Sequence, residues 1–226
     1  MSVVAGVDGC RGGWVAAVAD RRGAVEVAVH RSLDTVLAAF RQGEIAAVAI
    51  DMPIGLPSVP PRGCDVAARR LLGPRRSSVF PAPIRAVLGS RSYAEACARS
   101  RTACGVALSR QAFNLLPKID ELDRALEPPL QERIVEAHPE LAFAHAVGSP
   151  MQHPKRRPEG RRERLAALQR AGLTIRTVGS TAAAAPDDLL DAAILTLVAQ
   201  RVVEGSAERI GDGACDARGL RMEIVI

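Results

Sequence analysis

The first fifty residues alternate between apolar runs and short polar breaks. Val3 to Val7 (VVAGV) is almost wholly apolar and stops at Asp8-Gly9, which predicts a strand buried on both faces and ended by a turn. Trp14 to Ala19 (WVAAVA) predicts a second strand and DRRG at 20–23 a hairpin loop. Ala24 to His30 (AVEVAVH) alternates as a third strand with one wet face would. Ser32 is placed to cap a helix whose apolar positions Leu33, Val36, Leu37 and Phe40 follow helical spacing, with Gly43 closing it. Ile45 to Ile50 (IAAVAI) predicts a fourth, buried strand that ends at Asp51, followed by Met52 and Pro53.

Strand, strand, strand, helix, buried strand is an informative order. The helix can carry the chain across so that the fourth strand lies parallel to the first at the centre of one sheet, which puts Asp8 and Asp51 at the same end. From about 53 to 130 the chain is punctuated by Pro and Gly, with helical stretches near 64–72, 91–99 and 105–126, and reads as an insertion packed on the sheet. Arg133 to Ala137 predicts a short fifth strand. The polar, basic run 151–164 predicts a loop entering a helix. Pro186 opens the last strong helix, Gly205 stops it, and the closing MEIVI predicts a final edge strand. The expected architecture is α/β: a mixed sheet, antiparallel in strands 1–3 and parallel beyond, flanked by helices. One domain over 1–226 carries the helical insertion.

Composition narrows the function. With 226 residues, 48% hydrophobic and 24% charged, the chain is neither disordered, collagen-like nor a pure coiled coil. Aromatics are only 3%, with one Trp and one Tyr, which argues against a base-stacking platform. The net charge is +5, and Lys118 and Lys155 are the only lysines among 30 basic residues, so arginine carries nearly all of the cationic charge. That balance permits phosphate-bearing partners, although an arginine-rich genome produces the same bias. Five scattered cysteines without CxxC pairs argue against a disulfide framework or a zinc site. No run of some 20 apolar residues and no signal-peptide pattern is present, so a cytoplasmic protein is expected, with no membrane partner.

The candidate chemistry lies in the acids. An apolar strand that ends in a carboxylate risks burying a charge, which costs several kcal/mol unless the group is paired, hydrogen-bonded or metal-bound. Asp8 and Asp51 both do this at one sheet edge, where ligands of open sheets bind, and Glu136 joins them if its strand lies beside the fourth. On the last helix Asp191 falls among Ile194, Leu195 and Val198, inside the apolar stripe, with Asp188 one turn earlier. Asp187 and Asp188 also complement the helix dipole. Converging carboxylates suit a hard divalent cation, Mg²⁺ or Mn²⁺. Arg11, Arg75, Arg76, Ser77, Ser78 and Lys118 are candidate phosphate contacts. His138 is a candidate for proton transfer.

Several segments resemble a known family: GVDGCRGGW (6–14), IDMPIGLP (50–57), CDVAARRLLGPRRSSVFPAP (64–83), PKIDELD (117–123), EAHPELAF (136–143) and DDLLDA (187–192). Together they are similar to the predicted RNase H-like nuclease family catalogued as domain of unknown function 429. The late D-x-x-D-A spacing is similar to the Holliday-junction resolvase branch of the RNase H fold. The resemblance implies Asp8, Asp51, Glu136, Asp188 and Asp191 as catalytic, metal-holding acids, with Asp187 and Glu140 as spares. It also implies a nucleic-acid substrate, hydrolysis of a phosphodiester by a Mg²⁺- or Mn²⁺-dependent mechanism, and a homodimer. The basic stretch Lys155-Arg156-Arg157 departs from the more lysine-rich version expected there, a change that a pure charge role tolerates. A different class, a non-catalytic nucleotide- or nucleic-acid-binding protein on the same sheet edge, is compatible with the same residues. An actin-like or sugar-kinase ATPase needs two such domains, which this length excludes.

Overall fold

A computed structural model describes residues 2–20 and 22–226; within the expected loop 20–23, Arg21 lies outside the described residues. The six-stranded sheet is built from β1 (Val4–Cys10), β2 (Gly13–Ala19), β3 (Ala24–His30), β4 (Val48–Ile50), β5 (Ile134–Glu136) and β6 (Thr174–Thr177), in the order β5-β4-β1-β2-β3-β6. β1, β2 and β3 form the expected antiparallel meander, β4 and β5 continue parallel beside β1, and β6 joins parallel to β3. The predicted mixed sheet flanked by helices is therefore the observed one.

Two faces of the sheet are covered differently. On one, α7 (Pro186–Glu204) lies across β1 and β2, and Ile194, Leu195 and Val198 pack on Val4, Val15, Ala17, Ala49 and Val135. Gly6 pairs with Ala17 on β2 and Ala49 on β4, so a stripe of small residues runs under this helix. A Cβ on Gly6 would meet Leu195 Cβ and the Thr196 amide at 2.8 Å, so only glycine allows the helix to sit so close. On the other face, α1 (Asp34–Arg41) and α4 (Arg110–Ala125) cover Val7, Trp14, Val48 and Ile50 with Val36, Leu37, Ile119 and Leu122.

Ser32 keeps its expected capping role at the start of α1: its Oγ accepts from the Asp34 amide at 3.1 Å, with Leu33 already in helical backbone. What the sequence did not show is that Glu121 of α4 completes this end: its carboxylate accepts from Leu33 N (2.7 Å), Ser32 Oγ (3.0 Å) and the indole of buried Trp14 (2.9 Å). Several sequence expectations change. The fourth strand keeps only its last three predicted residues. The insertion divides: α4 joins the main core, α3 (Tyr93–Cys104) packs on it through a satellite cluster, and α2 (Gly63–Leu72) leaves the sheet for a C-terminal hairpin. That hairpin, β7 (Arg209–Cys215) with β8 (Arg221–Val225), is where the closing MEIVI goes. The parallel bridge Ala137–Val225 ties it to the end of β5, and β7 and β8 form a sheet of their own, so β8 is not a simple edge strand of the main sheet. Among the described residues no helix is long and apolar enough to cross a membrane.

Candidate functional site

The parallel strands β1 and β4 end on a cavity of about 540 Å³ whose lining includes Asp8, Asp51, Asp188 and Asp191. Three separate elements bring these acids together. Asp8 lies opposite Val15 on the α7 side of the sheet, Asp51 follows β4 directly, and α7 brings Asp188 and Asp191 down because Gly6 admits the helix one turn further along. Asp191 is 1% exposed and Asp8 is 6% exposed, so both carboxylates are removed from water.

The electrostatics follow from that burial. Desolvation, with Asp51 and Asp191 adding like charge, raises the Asp8 carboxyl well above the usual carboxylate range, and Lys155 opposes the shift only in part. Burial also lifts Asp51, against His138 and Lys155. Burial pushes Asp191 up to about 7 even though Lys155 lowers it. Asp188 is raised by burial as well, offset by the Ala185 amide, which donates to its Oδ2 at 2.8 Å. Burial alone would lower the Lys155 ammonium, yet Asp191 and Asp8 outweigh it and keep Lys155 charged.

Lys155 is the cation around which these acids gather. Its Nζ donates to Asp191 Oδ2 and lies 3.9 Å from Asp187 Oδ2. Glu140, 4% exposed and at the start of α5 (Pro139–Val147), is the other buried acid of the cavity, and its Oε1 accepts from Arg164 and, at 3.4 Å, from Arg75. Each of these two acids keeps one oxygen without a partner, Asp191 Oδ1 and Glu140 Oε2, and His138 Nδ1 and Arg75 Nε are also unpartnered. Four unsatisfied polar atoms on residues lining one cavity is a costly arrangement for a site with no ligand.

Glu136 is not among these acids. It pairs in register with Ile50, one residue short of Asp51, and so shares the opposite face with Ile134 and Val7. Both its oxygens are occupied: Arg62 donates at 2.6 and 2.7 Å and the Ile54 amide at 2.6 Å, while Arg62 also holds Asp65. Burial works against the Arg62 guanidinium, and Glu136 and Asp65 more than offset it. This buried Arg-centred triad ties the start of α2 to β5. The expected phosphate contacts also divide. Ser77, Ser78 and His138 line the cavity, as do Arg75 and Arg156. Arg76 turns to a separate pocket with Arg69 and Arg70. Arg11 is exposed away from the cavity lining, and Lys118 is engaged with the Gly13 carbonyl and the Trp14 ring, 4.9 Å from its centre.

Glu140 was legible only as a second acid after the fifth strand, and the central position of Lys155 had no sequence signal beyond its basic neighbours. The donor set, all carboxylate oxygen with two buried oxygens unpartnered, suits a hard divalent cation. As the side chains stand, with the ammonium among them, no three His, Cys, Asp or Glu groups of the described residues are gathered closely enough to hold a metal ion.

No curated protein and no solved structure matches the chain. A family model matches residues 6–215, which contain every acid of the cavity and both ends of the sheet described above. The chain belongs to the DUF429 family, described as a protein of unknown function.

Proposed function

We propose that this protein is a divalent-metal-dependent hydrolase that cleaves phosphodiester bonds of nucleic acid, on a sheet of RNase H-like design. The observation that carries the reading is the convergence of Asp8, Asp51, Asp188 and Asp191 on one cavity, with buried carboxylate oxygens left unpartnered. The strand order β3-β2-β1-β4-β5, with acids ending β1 and β4 and a D-x-x-D-A helix across them, supports the same reading.

Asp8, Asp51 and Asp191, with Asp188 or Glu140, would hold Mg²⁺ or Mn²⁺. The bound ion supplies Lewis-acid stabilisation of charge on the phosphoryl oxygens and an acidified water. The chain's own groups do the rest. Arg75 and Arg156 face the cavity as phosphate contacts, with the Ser77 hydroxyl as a further donor, while the Ser78 hydroxyl is spent on the Arg75 carbonyl at 2.8 Å. The free Nδ1 of His138 is placed to take or return a proton. In the reaction a water oxygen forms a new bond to phosphorus, the bond from phosphorus to a sugar oxygen breaks, and the water proton ends on that leaving oxygen.

Incubation of the purified protein with labelled single-stranded, duplex and branched DNA and RNA, with Mn²⁺ or EDTA, tests this. Metal-dependent cleavage abolished by Asp51→Asn and by Asp191→Asn is expected. Cleavage that persists in both variants, or no cleavage of any substrate, overturns the reading. A second reading, a non-catalytic nucleotide- or nucleic-acid-binding protein, is favoured by one fact: Lys155 already supplies counter-charge to the acids. Saturable, salt-dependent binding without turnover is its signature.

A further inference from the structure

The segment that delivers Lys155 is built with unusual care. Before it, the Glu163 carboxylate accepts from the amides of Gln152 (2.8 Å) and His153 (3.0 Å). Arg164, with a fully buried side chain, donates to the His153 carbonyl (3.1 Å) and the Gly160 carbonyl (2.9 Å). After it, the Arg157 amide donates to the Pro154 carbonyl at 3.0 Å, and Gly160 packs so tightly on Pro154 that a Cβ there would collide with the same carbonyl. Both sides of Lys155 are thus anchored on α6 (Pro158–Arg170). The same Arg164 reaches Glu140 and lies over Phe143, 5.6 Å from the ring centre, so one guanidinium positions the lysine loop and one acid of the cavity together.

The consequence is visible in how the carboxylate oxygens are shared. Lys155 holds Asp191 Oδ2, leaving only Oδ1 free, and Arg164 and Arg75 hold Glu140 Oε1, leaving only Oε2 free. A pair of adjacent divalent ions needs carboxylates that offer oxygens to both, and an ammonium fixed among those carboxylates repels a second cation. Resting on the reading of this cavity as a metal site, we infer that Lys155 stands permanently in the position of one cation, so that the site takes one divalent ion per chain and not two.

The test is calorimetric titration of the full chain with Mn²⁺ alone, followed by electron paramagnetic resonance of the loaded protein. The wild type is expected to bind one ion with an uncoupled signal. Lys155→Met is expected to bind a second ion, with the spin coupling of a close pair, and Lys155→Arg, which keeps the charge, to stay at one. Two ions in the wild type overturn the inference and leave the proposed hydrolysis standing. Lys155→Met held at one ion of unchanged affinity also overturns it. One ion in the wild type, with no cleavage of any nucleic acid, supports the inference and removes the proposed reaction. No binding by any variant removes both.

Discussion

Gly6 of β1 lies so close beneath Ala192 of α7 that a Cβ at position 6 would collide with the Ala192 carbonyl oxygen. The contact joins the centre of the sheet to the helix that carries Asp188 and Asp191, two residues before Asp8 on its strand. The approach of two backbones thereby sets the separation of acids that are 180 residues apart in the chain.

Gly6→Ala should therefore be expensive for its size. The colliding atoms are backbone, which cannot swing aside, so a loss of about 3 kcal/mol is expected, the upper end of overpacking penalties. Gly9→Ala is the control, because the Cβ there meets the Lys118 side chain at 2.8 Å, and a flexible stem can move. Urea unfolding of the two variants should separate them clearly. Equal midpoints would mean that α7 is not seated as described.

Asp8→Asn should stabilise the metal-free protein at pH 8. Burial and the charges of Asp51 and Asp191 raise the folded-state pKa of Asp8 above its unfolded value, the reverse of the usual carboxylate case. The penalty is absent below the unfolded pKa of about 3.9, grows as pH rises, and is complete above the folded pKa. In EDTA the variant should gain about 1 kcal/mol at pH 8, in the range of other relieved functional sites. The gain should vanish near pH 3.5. A lower melting midpoint for Asp8→Asn at pH 8 would contradict the account.

Glu136→Gln tests whether the acid after the fifth strand is structural. Removing one partner of a buried ion pair costs about 3–5 kcal/mol, since Arg62 is left in the interior with Asp65 alone. Chemical denaturation should show that loss while Mn²⁺ affinity stays at the wild-type value. A large fall in Mn²⁺ affinity without loss of stability would return Glu136 to the ligand set.

Asp216 has the opposite pH behaviour from Asp8. Burial acts to raise it, but the amides of Leu56, Arg218 and Leu220 and the Arg85 guanidinium together hold its pKa below the ordinary value. A depressed carboxylate contributes stability above its unfolded pKa of about 3.9 and loses it as pH falls through the folded pKa. Asp216→Asn should cost about 3 kcal/mol at pH 7, and the gap to wild type should close as the pH is lowered below about 4. A gap independent of pH would show that packing, not charge, is what Asp216 contributes.

The meander, the buried fourth strand and the last helix were legible because periodicity, Gly/Pro punctuation and apolar runs are local properties. A carboxylate at the end of such a run, as at Asp8 and Asp51, or inside an apolar helical stripe, as at Asp191, can be seen without knowing its neighbours. Which face an acid reaches is another matter. Glu136 and Asp51 differ by one residue of register, and in a sheet that offset sends side chains to opposite sides. The same holds for Arg75, in the cavity, against Arg76, outside it. The choice of Glu140, the hairpin of β7 with β8, and the placement of Lys155 among four aspartates all depend on segments that meet only when the chain is folded. Contacts of that kind leave no periodic trace along the chain, because the partners that satisfy them, Arg164 for Glu140 and Asp191 for Lys155, are set by packing distance and not by spacing in sequence.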